Sequence, residues 1–419
     1  MRDGISIPFL TRISHTAPCP RALVIVLGDL GRSPRMMNHA RALRARGWAV
    51  TLAGYGENPA PPDLATDPAV RVVELDAGSG GYGRILWRLA VELRRERWTA
   101  VLVQNPPGFP AMVLLGLAAR RGTRRVLDWH NFGSSLLALR RSPRRHAAGL
   151  YGWCEQRLAR MAHEHWAVSA ALAGKLTGIR AVVVHDRPSR FFRTAAALGR
   201  DHAPSGVNGG PEADRLAWWR RVLPHLTPPT APRWVVAPSS WGPDEDSDAM
   251  LRVAKAWRKN AASWGTAPYV AIIATGRGPM QAEFARAAAV LAAGPIALHT
   301  AWVPAAEYPA LLARADAGLC LHRSSSGVDL PMKLADFRGA GRKALVMDYG
   351  PVLTELFRPG TDGWTFRNDT ELAAGLRRLA AMTAEELTVP VAVEDTWEAE
   401  WDRTLGSWAA TLEAGRSRA

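Results

Sequence analysis

Short apolar runs that end at a glycine or a polar turn recur along the chain, separated by stretches whose apolar residues return at helical spacing. RALVIVLG, residues 21–28, is the first such run, and its continuous apolar character predicts a strand buried on both faces of a parallel sheet. The turn GDLGRSPR follows, then Met36, Ala40 and Leu43 mark a helix ending at Gly47, and WAVTLAGYG is the next strand. The alternation predicts further strands at 70–75, 100–104, 125–127, 164–168 and 181–184, with helices at 83–98, 111–119 and about 149–161. A second series opens with a strand at 233–237 and a helix running to Trp257, then strands at 269–274, 317–321 and 344–348 and a helix from Glu371. Alternating strand and helix specify an α/β fold of two Rossmann-like, doubly wound domains facing a cleft. The Gly/Pro/Ala-rich stretch 194–232 reads as a linker or variable insertion between domains at 1–193 and 233–390. In the tail, 391–419, Trp397, Trp401 and Trp408 lie at helical spacing and read as packing residues of a helix that crosses back to the first domain.

Composition narrows the class. With 419 residues, 47% hydrophobic and 22% charged, the chain can bury two cores. Cys19, Cys154 and Cys320 are far apart, which argues for a reducing compartment and against a disulfide framework or a cysteine metal site. No apolar run reaches the roughly 18 residues of a membrane span and the first twenty residues lack a signal-peptide core, so a cytoplasmic protein without an anchor is expected. The net charge of +15 is uneven: residues 1–200 hold 30 Lys+Arg against 13 Asp+Glu, which leaves 23 against 25 for the rest. No nucleic-acid-binding motif accompanies that excess, so the basic half is better matched to an anionic membrane surface or a lipid-diphosphate ligand. The segments GRILWRLAVELRRERW and LLALRRSPRRHAAGLYGW mix apolar and basic residues, Ile85, Leu86, Leu89 and Trp98 with five Arg in the first, as peripheral docking requires.

Candidate chemistry gathers at predicted strand ends. HRSSSGVDLPMKLADFRGAG, residues 322–341, joins a small-residue loop (Ser324, Ser325, Ser326, Gly327) to a helix with Pro331 at its start, an arrangement that brings hydroxyls and backbone N–H groups to an anion. Lys333 and Asp336 are three apart on that helix, a cation for phosphate beside a carboxylate for a ribose diol. Gly276 and Arg277 in TGRGP form a second turn able to approach a diphosphate. The first turn offers Gly28, Asp29, Gly31 and Arg32, and DWHN offers Asp128, His130 and Asn131 past another strand end. Asp244, Glu245 and Asp246 read as helix N-capping acids rather than metal ligands.

SSSGVDLPMK with Asp329 and Asp336, GDLGRSPRMMNHA, DWHN and HDRPSRFF together resemble the β-1,4-mannosyltransferases that extend chitobiosyl-diphosphodolichol, glycosyltransferase family 33, from Gly28 to about Phe366. The resemblance implies a GT-B enzyme that moves mannose from GDP-mannose, with inversion and without an essential metal or other cofactor, to a polyprenyl-diphosphate-linked glycan. The first domain then faces acceptor and membrane, and the second binds the nucleotide sugar. Eukaryotic members carry an N-terminal membrane anchor, so this chain is expected to be a homologue lacking it, held peripherally on the cytoplasmic face of a membrane. One in-line displacement needs a base from the first domain, His130 first with Asp128 and Asp29 behind it, and a group that stabilises the departing GDP, here the serine loop, Lys333 and Arg277. A GT-B transferase using another nucleotide sugar in polysaccharide assembly and a non-catalytic nucleotide-sugar-binding protein remain as alternatives.

Overall fold

A computed structural model describes residues 19–76, 81–139, 146–201, 210–229, 231–259, 269–292 and 294–416. The first apolar run is strand β1 (Arg21–Asp29), with Ala22 to Leu27 buried, at the centre of a seven-stranded parallel sheet. The others are β2 (Ala49–Tyr55), β3 (Val70–Glu74), β4 (Ala100–Asn105), β5 (Arg124–Trp129), β6 (Glu164–Ala167) and β7 (Val182–Val183), in the order 3-2-1-4-5-6-7. Residues 22–25 of β1 pair with β2 on one side and β4 on the other, so strand order reverses beside β1. Such reversals open a crevice outside the strands' carboxyl ends.

The second sheet, also parallel, holds β8 (Arg233–Pro238), β9 (Val270–Thr275), β10 (Ile296–Ala301), β11 (Ala317–Cys320), β12 (Ala344–Met347) and β13 (Gly363–Phe366), ordered 10-9-8-11-12-13. Here the reversal lies between β8 and β11. β10 and β13 add to the strands read from the sequence: half-buried His299 and Thr300 interrupt the apolar run of one, and the other is a four-residue edge strand.

The stretch 194–232 is not simply a linker. A helix at Arg190–Asp201 begins ahead of it and a second covers Gly210–Val222. Phe192 packs on the second domain's core, where Trp218, Trp219 and Leu223 are themselves buried with Trp234 and Val236. The chain therefore enters the second domain's wall soon after Pro188, and Gly/Pro composition concealed a helix whose two tryptophans close that core. The helix Trp397–Arg416 returns to the first domain: Trp397, Trp401, Leu405 and Ala409 are buried with Met36, Ala40 and Trp166, and Glu413 accepts from both Arg46 and Trp48. Among the described residues no helix is long and apolar enough to cross a membrane.

Candidate functional site

At the carboxyl end of β5, Asp128 is fully buried and surrounded by donors. Arg35 grips it with two parallel bonds, Nε to Oδ2 at 2.8 Å and Nη2 to Oδ1 at 2.9 Å, and reaches Asp186 Oδ1 and the Val184 carbonyl with Nη1, each at 2.8 Å. His130 Nε2 lies 2.8 Å from Asp128 Oδ2, and His39 Nε2 lies 3.3 Å from the same oxygen. Burial alone would raise the Asp128 carboxyl, but Arg35, His130 and His39 hold it well below the usual carboxylate range. Trp401 on the returning helix donates its indole N–H to His39 Nδ1 at 3.1 Å, which leaves the His39 proton on Nε2, facing Asp128. Burial lowers the His39 pKa, so that ring stays neutral.

Because Nε2 of His130 bonds to a carboxylate, its Nδ1 keeps the lone pair of the neutral ring. Asp128 has no such freedom: every donor around it needs it charged, so it orients His130 rather than competing with it. Asp29 is also engaged, accepting from the Asn58 backbone N–H at 3.0 Å and from the Asn58 side-chain amide. The room left by Gly31 is taken by the same loop, since a Cβ there would lie 2.7 Å from the Pro59 carbonyl, whereas a Cβ on Gly28 would meet only ordinary contact. The glycine at 31 thus serves loop packing. Arg32 extends to the second domain, donating from Nη2 to the Arg277 carbonyl at 2.9 Å.

The second domain's side departs further from the sequence reading. Ser324 and Ser326 donate inward to Asp329 Oδ1, and their hydroxyls accept the N–H groups of Gly327 at 2.7 Å and Val328 at 3.4 Å. Two serine hydroxyls of the loop thus bond its Gly327 and Val328 amides, with Asp329 as the loop's anchor, further held by His322 at 2.8 Å. Ser325 instead crosses to the first domain, meeting Ser135 at 2.9 Å and Asn131 at 3.2 Å, and Lys175 donates to the Ser326 carbonyl at 2.8 Å. Hydroxyls expected for an anion thus latch the two domains together.

Lys333 opens the seven-residue helix Lys333–Gly339 and pairs with Glu245, which also accepts from Ser239 and from the Ser240 N–H at 3.0 Å. The helix after the acid cluster starts only at Asp248, so Glu245 lies before it and fixes the lysine instead of capping. Asp336, half-buried, accepts from the Tyr308 hydroxyl at 3.2 Å. Burial pushes its carboxyl up to about 7, with Tyr308 working against that, Asp186 of the first domain adding to it and Lys333 opposing. Gly276, at φ 122°, lets its turn pass the Ser239 carbonyl, which a Cβ would approach to 1.9 Å. Arg277 is exposed with its guanidinium 4.0 Å from the centre of the Trp302 ring. Arg35, His39, Asp186, Glu245 and Tyr308 are the residues of this region that sequence reasoning missed. Arg35, His39 and Asp186 lie inside the motifs GDLGRSPRMMNHA and HDRPSRFF, and Glu245 inside the acid cluster, but none was singled out for a role in the site.

Comparison with known proteins agrees in kind. Residues 31–187 match the family described as a glycosyl transferase 4-like domain, and residues 256–406 one described as glycosyl transferase-like. The chitobiosyldiphosphodolichol beta-mannosyltransferase of Homo sapiens is 32% identical over 85% of this chain and 84% of its own length. That of Mus musculus is 29% identical over 93% and 89%. An Arabidopsis thaliana protein named UDP-glycosyltransferase TURAN is 30% identical over 91% and 95%. Among solved structures, sucrose-phosphate synthase from Thermosynechococcus elongatus superposes with a TM-score of 0.64 at 13% identity, covering 94% of this chain and all of that one. An α,α-trehalose 6-phosphate synthase from Burkholderia multivorans gives 0.61 at 10%, over 96% and 97%. The fold is GT-B.

Proposed function

The chain belongs to the chitobiosyldiphosphodolichol beta-mannosyltransferase family and is a glycosyltransferase, and from that premise we propose that it moves mannose, with inversion, from GDP-mannose to a polyprenyl-diphosphate-linked glycan. The observation that carries the proposal is the pairing across the cleft: a histidine oriented by a buried carboxylate on one sheet edge, and a fixed lysine beside an acid of raised pKa on the other. His130 takes the proton of the attacking hydroxyl on Nδ1, and Asp128 stabilises the imidazolium that forms. Lys333, held by Glu245, neutralises charge developing on the departing diphosphate, with Arg277 at its rim. Asp336 accepts the ribose hydroxyls in place of Tyr308. No step in this scheme calls on a metal ion. Products identified from a panel of nucleotide sugars and lipid-diphosphate acceptors test it: transfer from GDP-mannose alone supports it, and transfer only from another donor refutes the donor assignment. The Arabidopsis relative's name favours a UDP-sugar as the second reading, so UDP-sugars belong in that panel.

Asp336 carries a pH signature. As a carboxylate it accepts two hydroxyls, whereas below about 7 it is increasingly protonated and loses acceptor capacity. GDP binding should therefore tighten as pH rises from roughly 6 to 8, with proton release, because the complex favours the charged form. Asp336→Ala should weaken binding at the higher pH by about 1.5–3 kcal/mol, roughly tenfold or more, and flatten the pH dependence. Calorimetry that finds the same affinity and slope in a folded variant would remove Asp336 from the donor site.

Membrane docking follows from the same reading. Three helices of the first domain pack side by side, Gly81–Arg95, Phe109–Ala118 and Ala148–Ala159. Exposed on them are Tyr82, Trp87, Val91, Leu117, Leu150 and Trp153, bordered by exposed Arg84, Arg94, Arg95, Arg120, Arg121 and Arg157. The arginines of the first segment include ones singled out in the sequence, but the apolar members are different, for Ile85, Leu89 and Trp98 are core. Residues 140–145 of the second basic segment lie outside the described residues. Aromatics among arginines suit an anionic headgroup layer, each basic residue contributing about 1 kcal/mol near the surface. The protein should float with anionic liposomes at low salt and be released as salt rises, and Trp87→Ser with Trp153→Ser should abolish flotation. Retention of flotation by that double variant would rule out this face.

A further inference from the structure

The helix Ala148–Ala159 has two accessible sides. Leu150, 68% exposed, and Trp153, 65% exposed, belong to the docking face, whereas Gly149, Gly152 and Gln156 line a groove of about 570 Å³. Phe132, which follows His130 and Asn131 directly in the chain, and Ser135, three residues on, line it too, as do Lys175 and Ser326. Ser135 bonds Ser325 at 2.9 Å and Asn131 at 3.3 Å, so this wall is shared with the contact that joins the domains. One body of protein thus connects the docking face, an open groove and the strand end that bears His130.

The chemistry of the groove is mixed in a specific way. Phe132, Ala148 and the two glycines supply an apolar surface, and among the described residues that line it the one cation is Lys175, whose ammonium lies 2.8 Å from the Ser326 carbonyl. A ligand that suits it has an apolar body ending in a compact anion. We propose that the groove holds the lipid-proximal part of the acceptor, the diphosphate beside Lys175 and the first isoprene units along Gly149 and Gly152. This rests on the reading of the acceptor as a polyprenyl-diphosphate glycan. It explains how such a molecule reaches the base: its lipid stays with the face that meets the membrane while its sugar projects toward His130, and no apolar chain has to cross the polar cleft.

Gly149 makes the test clean. A Cβ at Gly149 meets nothing within 4 Å, so Gly149→Trp adds bulk to the groove from an open backbone position in the first turn of a helix. Farnesyl diphosphate, measured by calorimetry on the full chain, should bind the wild type and lose about tenfold or more in affinity in Gly149→Trp and in Lys175→Met. GDP affinity should be unchanged in both. In transfer assays, Gly149→Trp should raise KM for a phytanyl-diphosphate chitobiose and leave KM for lipid-free chitobiose alone. Equal farnesyl diphosphate binding by wild type and Gly149→Trp overturns the proposal, as does an equal rise in KM for both acceptors, which would place the glycan there instead. Inorganic diphosphate binding as tightly as farnesyl diphosphate would also overturn it, since the apolar wall would then contribute nothing. A wild type that binds farnesyl diphosphate through the groove yet transfers no sugar supports the groove and refutes only the functional reading.

Discussion

His130→Ala is expected to lower kcat by about a hundredfold or more while GDP affinity stays nearly intact. The expectation comes from how the ring is held. Nε2 of His130 is committed to Asp128 at 2.8 Å, and its backbone N–H is tied to the Asn105 carbonyl at 2.8 Å, so the ring is positioned as well as polarised. The second domain supplies every contact assigned to the nucleotide, so loss of an imidazole on the first domain should not reach GDP. Asp128→Asn separates orientation from charge. It offers His130 an amide in place of a carboxylate, and kcat should fall steeply because the imidazolium loses its stabilising partner. Steady-state kinetics at saturating donor with calorimetry on the same preparations decides the matter. Poor GDP binding with normal turnover in His130→Ala would make His130 a donor contact, and unaffected activity would return it to a structural role.

How much of this was legible depended on whether a residue's partner is local. Strands β1, β2, β4, β8 and β9 are unbroken apolar runs, because parallel strands covered on both faces must be, and they could be read without any tertiary knowledge. The strand-end positions of Asp128 and His130 followed from the same runs. Arg35 could not be read this way: its partners Asp128 and Asp186 lie 93 and 151 residues distant, and a charge on the buried side of a helix looks like a pattern error until they are known. The serine loop was ambiguous for the opposite reason. A run of hydroxyls before Gly327 fits an anion cradle and a self-bonded loop equally well, and Asp329, the carboxylate toward which two of those hydroxyls turn, sits five residues after Ser324. Glu245 was discounted because acids near a helix start have a sufficient local explanation, yet its partner is Lys333, 88 residues on. Trp397 and Trp401 were read correctly as packing residues, but the indole N–H of Trp401 also sets the tautomer of His39.

Arg35→Met should be the most destabilising single substitution in the site, by about 3–5 kcal/mol, because it removes the cation from a buried pair and leaves the anion behind. Methionine keeps much of the side chain's length, so the loss is electrostatic rather than a cavity. Asp128 would lose two guanidinium bonds and Asp186 one, in a region where Arg35 and Asp128 have no exposed side-chain surface. The sign of the pH dependence distinguishes this from lost packing. In the wild type the Asp128 carboxyl is held below its unfolded value, so it contributes stability that is present above that value and lost as pH falls through the folded one. In Arg35→Met burial has less to oppose it, the folded pKa of Asp128 rises, and the carboxyl can be neutralised in mild acid. The stability gap between the two proteins should therefore be widest near neutral pH and narrow as pH is lowered toward roughly 4. Denaturant unfolding of both proteins across that range measures it directly. A gap that stays constant with pH would mean that Arg35 acts through packing alone, and one below about 1 kcal/mol would mean that the guanidinium's desolvation cancels what its two carboxylates provide.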